Sequence, residues 1–158
     1  MSIEPRELRN ALGQFATGVC LITTMAEDRT PLAITANSFS SVSLEPPLVL
    51  WSLQSNSDVY HHFCKPRYFG INVLTCEQQP LSARYAAKGQ HEIEPAHYRS
   101  GKYGAPIIRD ALLSLECGLE ATYEGGDHLI IVGRICDMYR KPTGLPLVFY
   151  GGGYRELH

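Results

Sequence analysis

A long strand–turn–strand pattern near the end of the sequence constrains the fold more than any other feature of the chain. Apolar or small residues at positions 115, 117, 119, 121 and 123 alternate with Glu116, Gly118, Glu120, Thr122 and Glu124. An alternation of period two predicts a strand with one buried and one solvated face. The turn sequence at 125–127 then predicts that residues 128–139 return as a partner strand.

Several shorter segments predict further strands but only small helices. Helical spacing of Leu8, Leu12 and Phe15 predicts an amphipathic helix within residues 4–16, and short helices are expected over 58–63 and 77–88. β-Branched or alternating runs predict strands over residues 19–24, 32–36, 48–53 and 68–74. This mixture favours a mainly β barrel with short helices over a fold built from βαβ units.

Size and charge narrow the range of functions. The chain has 158 residues, of which 44% are hydrophobic, so we expect residues 1–158 to form a single domain around one core. The formal charge of −2, without a cluster of Lys or Arg, gives no electrostatic basis for binding nucleic acid or an anionic membrane.

Cysteine usage and the first residues favour a reducing compartment. The five cysteines are odd in number and widely spaced, and they form neither a disulfide framework nor a Cys-x-x-Cys pair. The first residues are charged and lack the apolar stretch of a signal peptide, and no run approaches the roughly 18 apolar residues of a membrane span. We therefore expect a cytoplasmic protein.

Residues 35–45 are unusually rich in small hydroxyl side chains. Short Ser, Thr, Asn and Ala side chains leave backbone N–H and C=O groups accessible, which suits a flat polar ligand lying against a sheet edge. The alternative is a Ser-rich turn whose hydroxyls bond local backbone groups, and composition alone favours this alternative.

Other polar residues also have both a functional and a structural explanation. The helix start at Ser57 could attract an anion or be an ordinary capped end. Asn72 lies within a strand pattern and could recognise a ligand or bond neighbouring backbone. Arg84 and Lys88 could reach a phosphate or form a solvated charged face.

Residues 90–104 are polar and are expected to lack regular structure. His91, Glu92, Glu94 and His97 suggest a metal site, but their spacing fits neither a helical His pair nor a zinc pattern, so we expect no metal. A mobile loop over a pocket is the preferred interpretation. The glycines at 151–153 precede no helix and are therefore predicted to form a turn and not a dinucleotide-binding loop.

Five motifs in this order resemble the short-chain flavin reductases, the reductase components of two-component flavin-dependent monooxygenases. The resemblance covers nearly the whole chain. The motifs are the run Thr-Ala-Asn-Ser-Phe-Ser-Ser-Val-Ser-Leu-Glu-Pro-Pro-Leu-Val at 35–49, Phe-Gly-Ile-Asn-Val-Leu at 69–74, Leu-Glu-Cys at 115–117, Gly-Asp-His at 126–128 and Tyr-Gly-Gly-Gly-Tyr at 150–154.

The resemblance implies an FMN-binding split β-barrel, usually a homodimer with the flavin near the subunit interface. It also implies hydride transfer from NADH or NADPH to FMN or FAD, and delivery of the reduced flavin to a separate oxygenase. The choice between FMN and FAD, and between NADH and NADPH, stays open. A flavin-binding sensor, store or chaperone of the same barrel shape is the alternative, and a plain interaction domain is a third possibility.

The resemblance also assigns site residues. The residues implied to lie along the flavin ring system are Thr35, Ala36, Asn37 and Ser38, with Phe69, Gly70 and Asn72 closing the ring pocket and Tyr154 capping it. The residues implied for the ribityl and phosphate portion are Ser41, Ser43, Ser52, Gln54, Ser55 and Ser57, with Arg84 as the cation. His128 is implied to meet the nicotinamide cofactor. The family often has Ala or Val where this chain has Gly70, which bears on the pocket width.

The expected chemistry needs no acid or base from the protein, because flavin and nicotinamide supply the reactive atoms. The protein must hold the two rings in contact. Negative charge develops on one edge of the flavin during reduction, so we expect backbone N–H donors from the Ser-rich run to face it.

Overall fold

The computed structural model describes residues 2–158 and contains three short α-helices and twelve strands. The helices are α1 (Pro5–Leu12), α2 (Tyr60–Phe63) and α3 (Gln79–Ala86). The strands are β1 (Thr17–Gly18), β2 (Cys20–Met25), β3 (Pro31–Ala36), β4 (Ser40–Leu44), β5 (Pro47–Gln54), β6 (Tyr68–Val73), β7 (Tyr98–Ser100), β8 (Pro106–Ile108), β9 (Leu113–Gly125), β10 (His128–Arg140), β11 (Val148–Tyr150) and β12 (Gly153–Arg155). Within the described residues, no helix is long and apolar enough to cross a membrane.

Seven strands form one antiparallel sheet in the order β3-β2-β6-β9-β10-β5-β4. The two outermost strands, β3 and β4, follow each other in the chain with only residues 37–39 between them. A link of three residues cannot cross a flat seven-stranded sheet, so the sheet must curl until its two edges approach each other. The result is the mainly β split barrel with short helices that the sequence predicted.

The core lies on both faces of the central strands. Inside the barrel, Trp51 packs edge-on against Phe63, with Phe69 nearby in the same fully buried cluster. A second cluster fills the space between the sheet and α3, and it includes Leu21 and Tyr85. Because both faces of β2 and β6 are covered, these strands are almost entirely buried.

The predicted β9–β10 hairpin is confirmed, but its solvated face is not solvated along its whole length. Glu116, expected on the wet face, is fully buried and accepts hydrogen bonds from the N–H groups of Tyr103 and Ala105 at 3.1 and 2.9 Å. The hairpin formed by β7 and β8 covers this part of β9, which is why the period-two pattern misassigned the carboxylate.

The segment 90–104 is more ordered than the sequence predicted. It contains β7, and residues 91–93 lie along the free edge of β3. The Ala33 N–H donates to the His91 carbonyl at 2.8 Å, and the Ile93 N–H donates to the Pro31 carbonyl at 2.9 Å. This segment therefore covers the sheet edge and does not hang over a pocket as a loose loop.

The N-terminal helix is shorter than predicted, and it leaves its apolar face uncovered. No residue of α1 is buried, and Leu8, Leu12 and Phe15 are 43%, 67% and 78% exposed. At the other end of the chain, β11 and β12 form the hairpin predicted from the glycines at 151–153. Gly151 and Gly152 both have positive φ, as a tight two-residue turn requires.

Candidate functional site

A cleft lies where the chain passes from β3 towards β4, between α3 and the C-terminal hairpin. Its first part, here called the apolar lobe, has a volume of about 220 Å³. The residues lining it are Val19, Thr35, Ala36, Asn37, Ser82, Ala86, Phe149 and Tyr154. Four of the residues predicted from the sequence, namely Thr35, Ala36, Asn37 and Tyr154, therefore line one cavity.

A second part, here called the polar lobe, has a volume of about 400 Å³ and shares Thr35 and Ala86 with the apolar lobe. Its other lining residues are Ile34, Gln54, Asn56, Ser57, Asp58, Lys88 and His91. Because the two lobes share Thr35 and Ala86, they lie side by side, and we treat them together as one cleft with an apolar end and a polar end. A larger groove of about 580 Å³ lies between residues 25–28 and 61–67 and contains none of the predicted site residues.

Hydrogen bonds fix the walls of the apolar lobe. The Thr35 hydroxyl donates to the Ser82 carbonyl at 2.7 Å, which ties β3 to α3. The hydroxyls of Tyr154 and Ser82 lie 2.7 Å apart and share a hydrogen bond, which ties the C-terminal hairpin to the same helix. Phe149 packs edge-on against Tyr154 with ring centroids 5.6 Å apart. The lobe is thus preformed by contacts that hold its three sides together.

The link between β3 and β4 presents free backbone donors. The Ser38 hydroxyl accepts from the Ser52 N–H at 2.9 Å and donates to the Ser52 carbonyl at 3.2 Å, so this side chain extends the β4–β5 pairing in place of the backbone. Within residues 2–158, the N–H groups of residues 37–39 make no hydrogen bond. Free N–H groups beside a cleft suit an acceptor-rich ligand edge.

The polar lobe contains a linked set of charges. The His91 ring is 6% exposed, and its Nε2 lies 2.9 Å from an Asp58 carboxylate oxygen. The other oxygen of Asp58 accepts from the Gly89 N–H at 2.9 Å. Burial acts to raise the pKa of the Asp58 carboxyl, but the Gly89 N–H and the His91 ring together hold that pKa below its usual value. The adjacent Lys88 lines the lobe as a cation.

His128 lies at the start of β10, opposite Gln54 in the strand register. Residues paired in this way point to the same face of a sheet, so the His128 ring lies beside a residue that lines the polar lobe. Its Nδ1 is 2.7 Å from an Asp127 carboxylate oxygen, and its side chain is 40% exposed. The hydrogen bond from His128 and the positive charge of its ring lower the pKa of Asp127.

The structure does not place Phe69, Gly70 and Asn72, which were assigned to the ring pocket, in the lining of the cleft. All three lie in β6 at the centre of the sheet and are buried. Asn72 donates to the Leu21 carbonyl and the Thr23 hydroxyl and accepts from the Ile108 N–H and the Ser114 hydroxyl. Because these four bonds use the whole amide, none of it is available to a ligand.

Gly70 has a structural explanation as well. A Cβ at this position would fall 2.9 Å from the Pro106 carbonyl oxygen and even closer to the Thr23 hydroxyl. Glycine is therefore required by the close approach of β8 to the sheet, and it does not set the width of a ligand pocket.

Arg84 does not supply the cation of the cleft. Its guanidinium pairs with Glu94 at 2.6 Å and lies over the Tyr85 ring, outside the cleft lining. Lys88, four residues further along the chain, lines the polar lobe and is the cation of the cleft. Ser41 and Ser43 lie on the edge strand β4, and Ser55 lies in the turn after β5, where its N–H donates to the Asp127 carbonyl. None of these three serines lines the cleft.

Several residues that line the cleft were not among the residues predicted from the sequence. Ser82, Ala86 and Phe149 face the apolar lobe, and Asp58 and His91 face the polar lobe. The spacing of four between Ser82 and Ala86 places both on one face of α3, which a helical-wheel reading could have found. In the sequence, His91 stands out only as a candidate metal ligand. Within residues 2–158, no group of three or more His, Cys, Asp or Glu side chains could hold a metal ion.

The cleft fits a flavin chemically. Its apolar end has an aromatic wall and free N–H donors, as a flat heteroaromatic ring with acceptor atoms on its edge requires. Its polar end has hydroxyl, amide and lysine donors, as a phosphate requires. The two lobes together fall within the volume range of small-molecule sites, about 300–1,000 Å³.

Comparison with known proteins identifies the class to which this fold and cleft belong. Residues 12–158 match the family model described as the flavin reductase like domain, so the chain belongs to the flavin reductase like family. It is 36% identical over 156 residues to the reductase subunit of a flavin-dependent monooxygenase from Rhodococcus jostii, covering 99% of this chain and 80% of that protein. It is 40% identical over 149 residues to an FMN reductase (NADH) from Agrobacterium fabrum, covering 94% and 84% of the two chains.

Solved structures of flavin reductases also superpose on this chain. An NADH:FAD oxidoreductase of Streptomyces globisporus, determined in complex with NAD and FAD fragments, superposes with a TM-score of 0.91 at 32% identity and covers 100% of this chain and 97% of that one. The flavin reductase component of a bacterial two-component tryptophan halogenase superposes with a TM-score of 0.88 at 35% identity and covers 98% of each chain.

Proposed function

We propose that this chain is an NAD(P)H-dependent flavin reductase, acting as a single domain over residues 1–158. It transfers hydride from a reduced nicotinamide to FMN or FAD and releases the reduced flavin to a separate oxygenase. The observation that carries the proposal is the cleft built on the Thr35–Asn37 motif, with aromatic and apolar walls at one end and phosphate-type donors at the other.

The residues that would hold the flavin divide between the two lobes. Thr35, Ala36 and Asn37 would line the ring system with Tyr154 as its cap, while the N–H groups of residues 37–39 would donate to acceptors on the ring edge. Gln54, Ser57 and Lys88 would receive the phosphate. Ser38 and Ser52 would contribute by holding the link between β3 and β4 in place. When bound, flavin and nicotinamide supply the redox chemistry, and the protein supplies position and hydrogen-bond donors.

His128 would contact the nicotinamide cofactor. Its side chain is partly exposed, lies opposite Gln54 and has the Asp127 carboxylate 2.7 Å from its Nδ1. NADH is the favoured donor, because the relatives from Agrobacterium fabrum and a Rhodococcus species are named as NADH-dependent. These names also argue against the alternative of a flavin sensor or store.

We also propose that the protein is a homodimer. The apolar face of α1 and the edge strand β4, where Leu44 is 95% exposed, leave apolar surface and unpaired strand backbone without cover from this chain. A second copy of this chain packed there would bury the apolar surface and pair the free strand backbone. The partner oxygenase is proposed from relatives that are named as components of monooxygenases. A cytoplasmic location is proposed from the five cysteines, all of which are free thiols.

The test is oxidation of NADH or NADPH, followed at 340 nm, with FMN, FAD and riboflavin added in turn. Ala86 borders both lobes and is exposed, so Ala86→Trp should fill the cleft and reduce both flavin affinity and turnover by at least about tenfold. Ala83→Trp is the matched control, because Ala83 is an exposed position of the same helix outside the cleft lining. Equal loss in both variants, or no turnover by the wild-type protein, would refute the proposal.

A further inference from the structure

The His91 ring is held between two oxygen atoms. Its Nδ1 lies 3.0 Å from the Ala33 carbonyl oxygen and its Nε2 lies 2.9 Å from an Asp58 carboxylate oxygen. A carbonyl oxygen and an ionised carboxylate are both acceptors, so both ring nitrogens would donate when Asp58 is ionised. A neutral imidazole has only one N–H and would leave a lone pair facing an acceptor in a buried position.

Two states satisfy this geometry, and the surroundings select between them. The proton could reside on Asp58 with a neutral ring, or on the ring with an ionised Asp58. Asp58 also accepts from the Gly89 N–H and is 30% exposed, and these contacts favour the ionised carboxylate. The geometry therefore fits a ring that donates from both nitrogens to the Ala33 carbonyl and to an ionised Asp58.

The position of this pair gives it a consequence for ligand binding. Asp58, Lys88 and His91 all line the polar lobe. With His91 protonated, its charge cancels that of Asp58 and leaves the lobe net positive through Lys88. With His91 neutral, Asp58 cancels Lys88 and the lobe has no net charge. Asp58 would then repel an anion that enters the lobe.

Among the described residues that line the polar lobe, Asp58, Lys88 and His91 are the ones with a titratable side chain. The elements packed against His91 are β3, the turn after β5 and the end of α3. The β3 residues beside it, Pro31 to Ile34, carry no titratable group. The turn after β5 contributes Asp58, and the end of α3 is followed by Lys88. On its own segment, Glu92 is exposed and Glu94 is paired with Arg84.

The pair also holds the backbone that carries Lys88. Asp58 binds both His91 and the N–H of Gly89, the residue that directly follows Lys88. Gly89 has φ +78°, so the chain turns sharply there.

We propose that His91 is held as an imidazolium by Ala33 and Asp58, and that this charge allows the polar lobe to accept the phosphate group of a flavin. The inference rests on the proposed function and extends it, because it makes flavin affinity depend on pH through a residue outside the recognised motifs. Affinity for FMN should fall as the pH rises and His91 loses its proton. The phosphate of FMN becomes more anionic above a pKa of about 6, and this change should strengthen its binding to a cationic lobe. A fall in FMN affinity as the pH rises would therefore come from a group of the protein and not from the phosphate.

The experiment measures dissociation constants of FMN, FAD and riboflavin by fluorescence titration from pH 6 to 9. Riboflavin lacks the phosphate and reports on the apolar lobe alone. His91→Gln should weaken FMN and FAD by about tenfold at low pH, the order expected when one unit charge near a partly buried anion is lost, with riboflavin unchanged. It should also abolish the fall in affinity as the pH rises.

Asp58→Asn provides a second variant, in case His91→Gln does not fold, and its effect on FMN affinity should be opposite to that of His91→Gln. Removal of the carboxylate takes a negative charge out of the lobe, so FMN binding should become severalfold tighter at the upper end of the pH range. His62→Gln is the matched control, because His62 faces the carboxylate of Asp28 in the separate groove and touches neither lobe.

The outcomes separate the two levels of the proposal. If FMN, FAD and riboflavin bind to the wild-type protein but their affinity ratios change neither with pH nor in either variant, the inference about His91 is wrong and the proposed function stands. Weaker FMN binding in Asp58→Asn would also overturn the inference. If none of the three flavins binds to the wild-type protein, the proposed function fails and takes this inference with it.

Discussion

The buried amide of Asn72 provides the sharpest test of how this site was assigned, because sequence and structure give it different roles. Asn72→Ala would leave the Ile108 N–H without its acceptor, and it would remove the side-chain bonds to the Leu21 carbonyl and to the hydroxyls of Ser114 and Thr23. A buried N–H left unpaired costs about 1–3 kcal/mol, and each of the other three lost bonds costs about 0.5–1.5 kcal/mol. We expect a loss of about 3–5 kcal/mol, a large share of a typical 5–15 kcal/mol total.

The assay is equilibrium unfolding in urea, combined with flavin titration of the folded protein. With an m-value of about 2 kcal/mol/M, the midpoint should fall by about 2 M, while the dissociation constant for FMN should stay within about twofold of wild type. Asn56→Ala is the control: Asn56 is exposed in the polar lobe, so its loss should move the midpoint by less than about 0.3 M. A near-wild-type midpoint for Asn72→Ala, together with tenfold weaker flavin binding, would show that the amide contacts the ligand after all.

Four further predictions follow from particular contacts. His128→Ala should raise the KM for NADH about fivefold and leave flavin affinity unchanged, as steady-state kinetics and titration would reveal; the opposite pattern would refute its assignment. Lys88→Gln should weaken FMN about fivefold but spare riboflavin, whereas Arg84→Gln, whose cation is held by Glu94, should change neither by more than about twofold. Glu116→Gln should lower the free energy of unfolding by about 2 kcal/mol, measured in urea, because a neutral amide is a weaker acceptor for the two N–H groups of residues 103 and 105; an unchanged midpoint would contradict this. Because the pKa of Asp58 is lowered in the folded state, its contribution to stability is present above pH 3.8 and is lost as the pH falls further, so a melting-temperature profile in acid should be flatter for Asp58→Asn.

The sequence was sufficient for most of the fold because its strand patterns are strong and local. The hairpin of β9 and β10, the hairpin of β2 and β3 and the C-terminal turn all follow from periodicity and turn residues within one segment. Glu116 and residues 90–104 were misassigned because their environment is made by distant parts of the chain. A carboxylate alternating with apolar residues looks solvated until another hairpin packs over it, and no local pattern predicts that packing.

The same reasoning explains which site residues the sequence could identify. Thr35, Ala36 and Asn37 stand in a run whose composition is itself unusual, so the signal is local. Asn72 and Arg84 were assigned from a motif match, but their partners, Leu21 and Glu94 among them, lie elsewhere in the sequence and use the polar groups that a ligand would need. Lys88 and His91 carry no motif, and only the position of α3 against β3 brings them to the cleft.

The hydroxyl of Ser38 has a consequence for how this cleft can evolve. Since that side chain takes over the pairing with Ser52, the main-chain N–H groups of residues 37–39 have no hydrogen-bond partner within residues 2–158, and Asn37 among them lines the cleft. Main-chain donors are the same for every residue except proline. Ligand binding through these N–H groups should therefore tolerate substitutions at positions 37 and 39. Loss of the Ser38 hydroxyl, in contrast, would let the N–H groups pair with the sheet and would remove the binding surface.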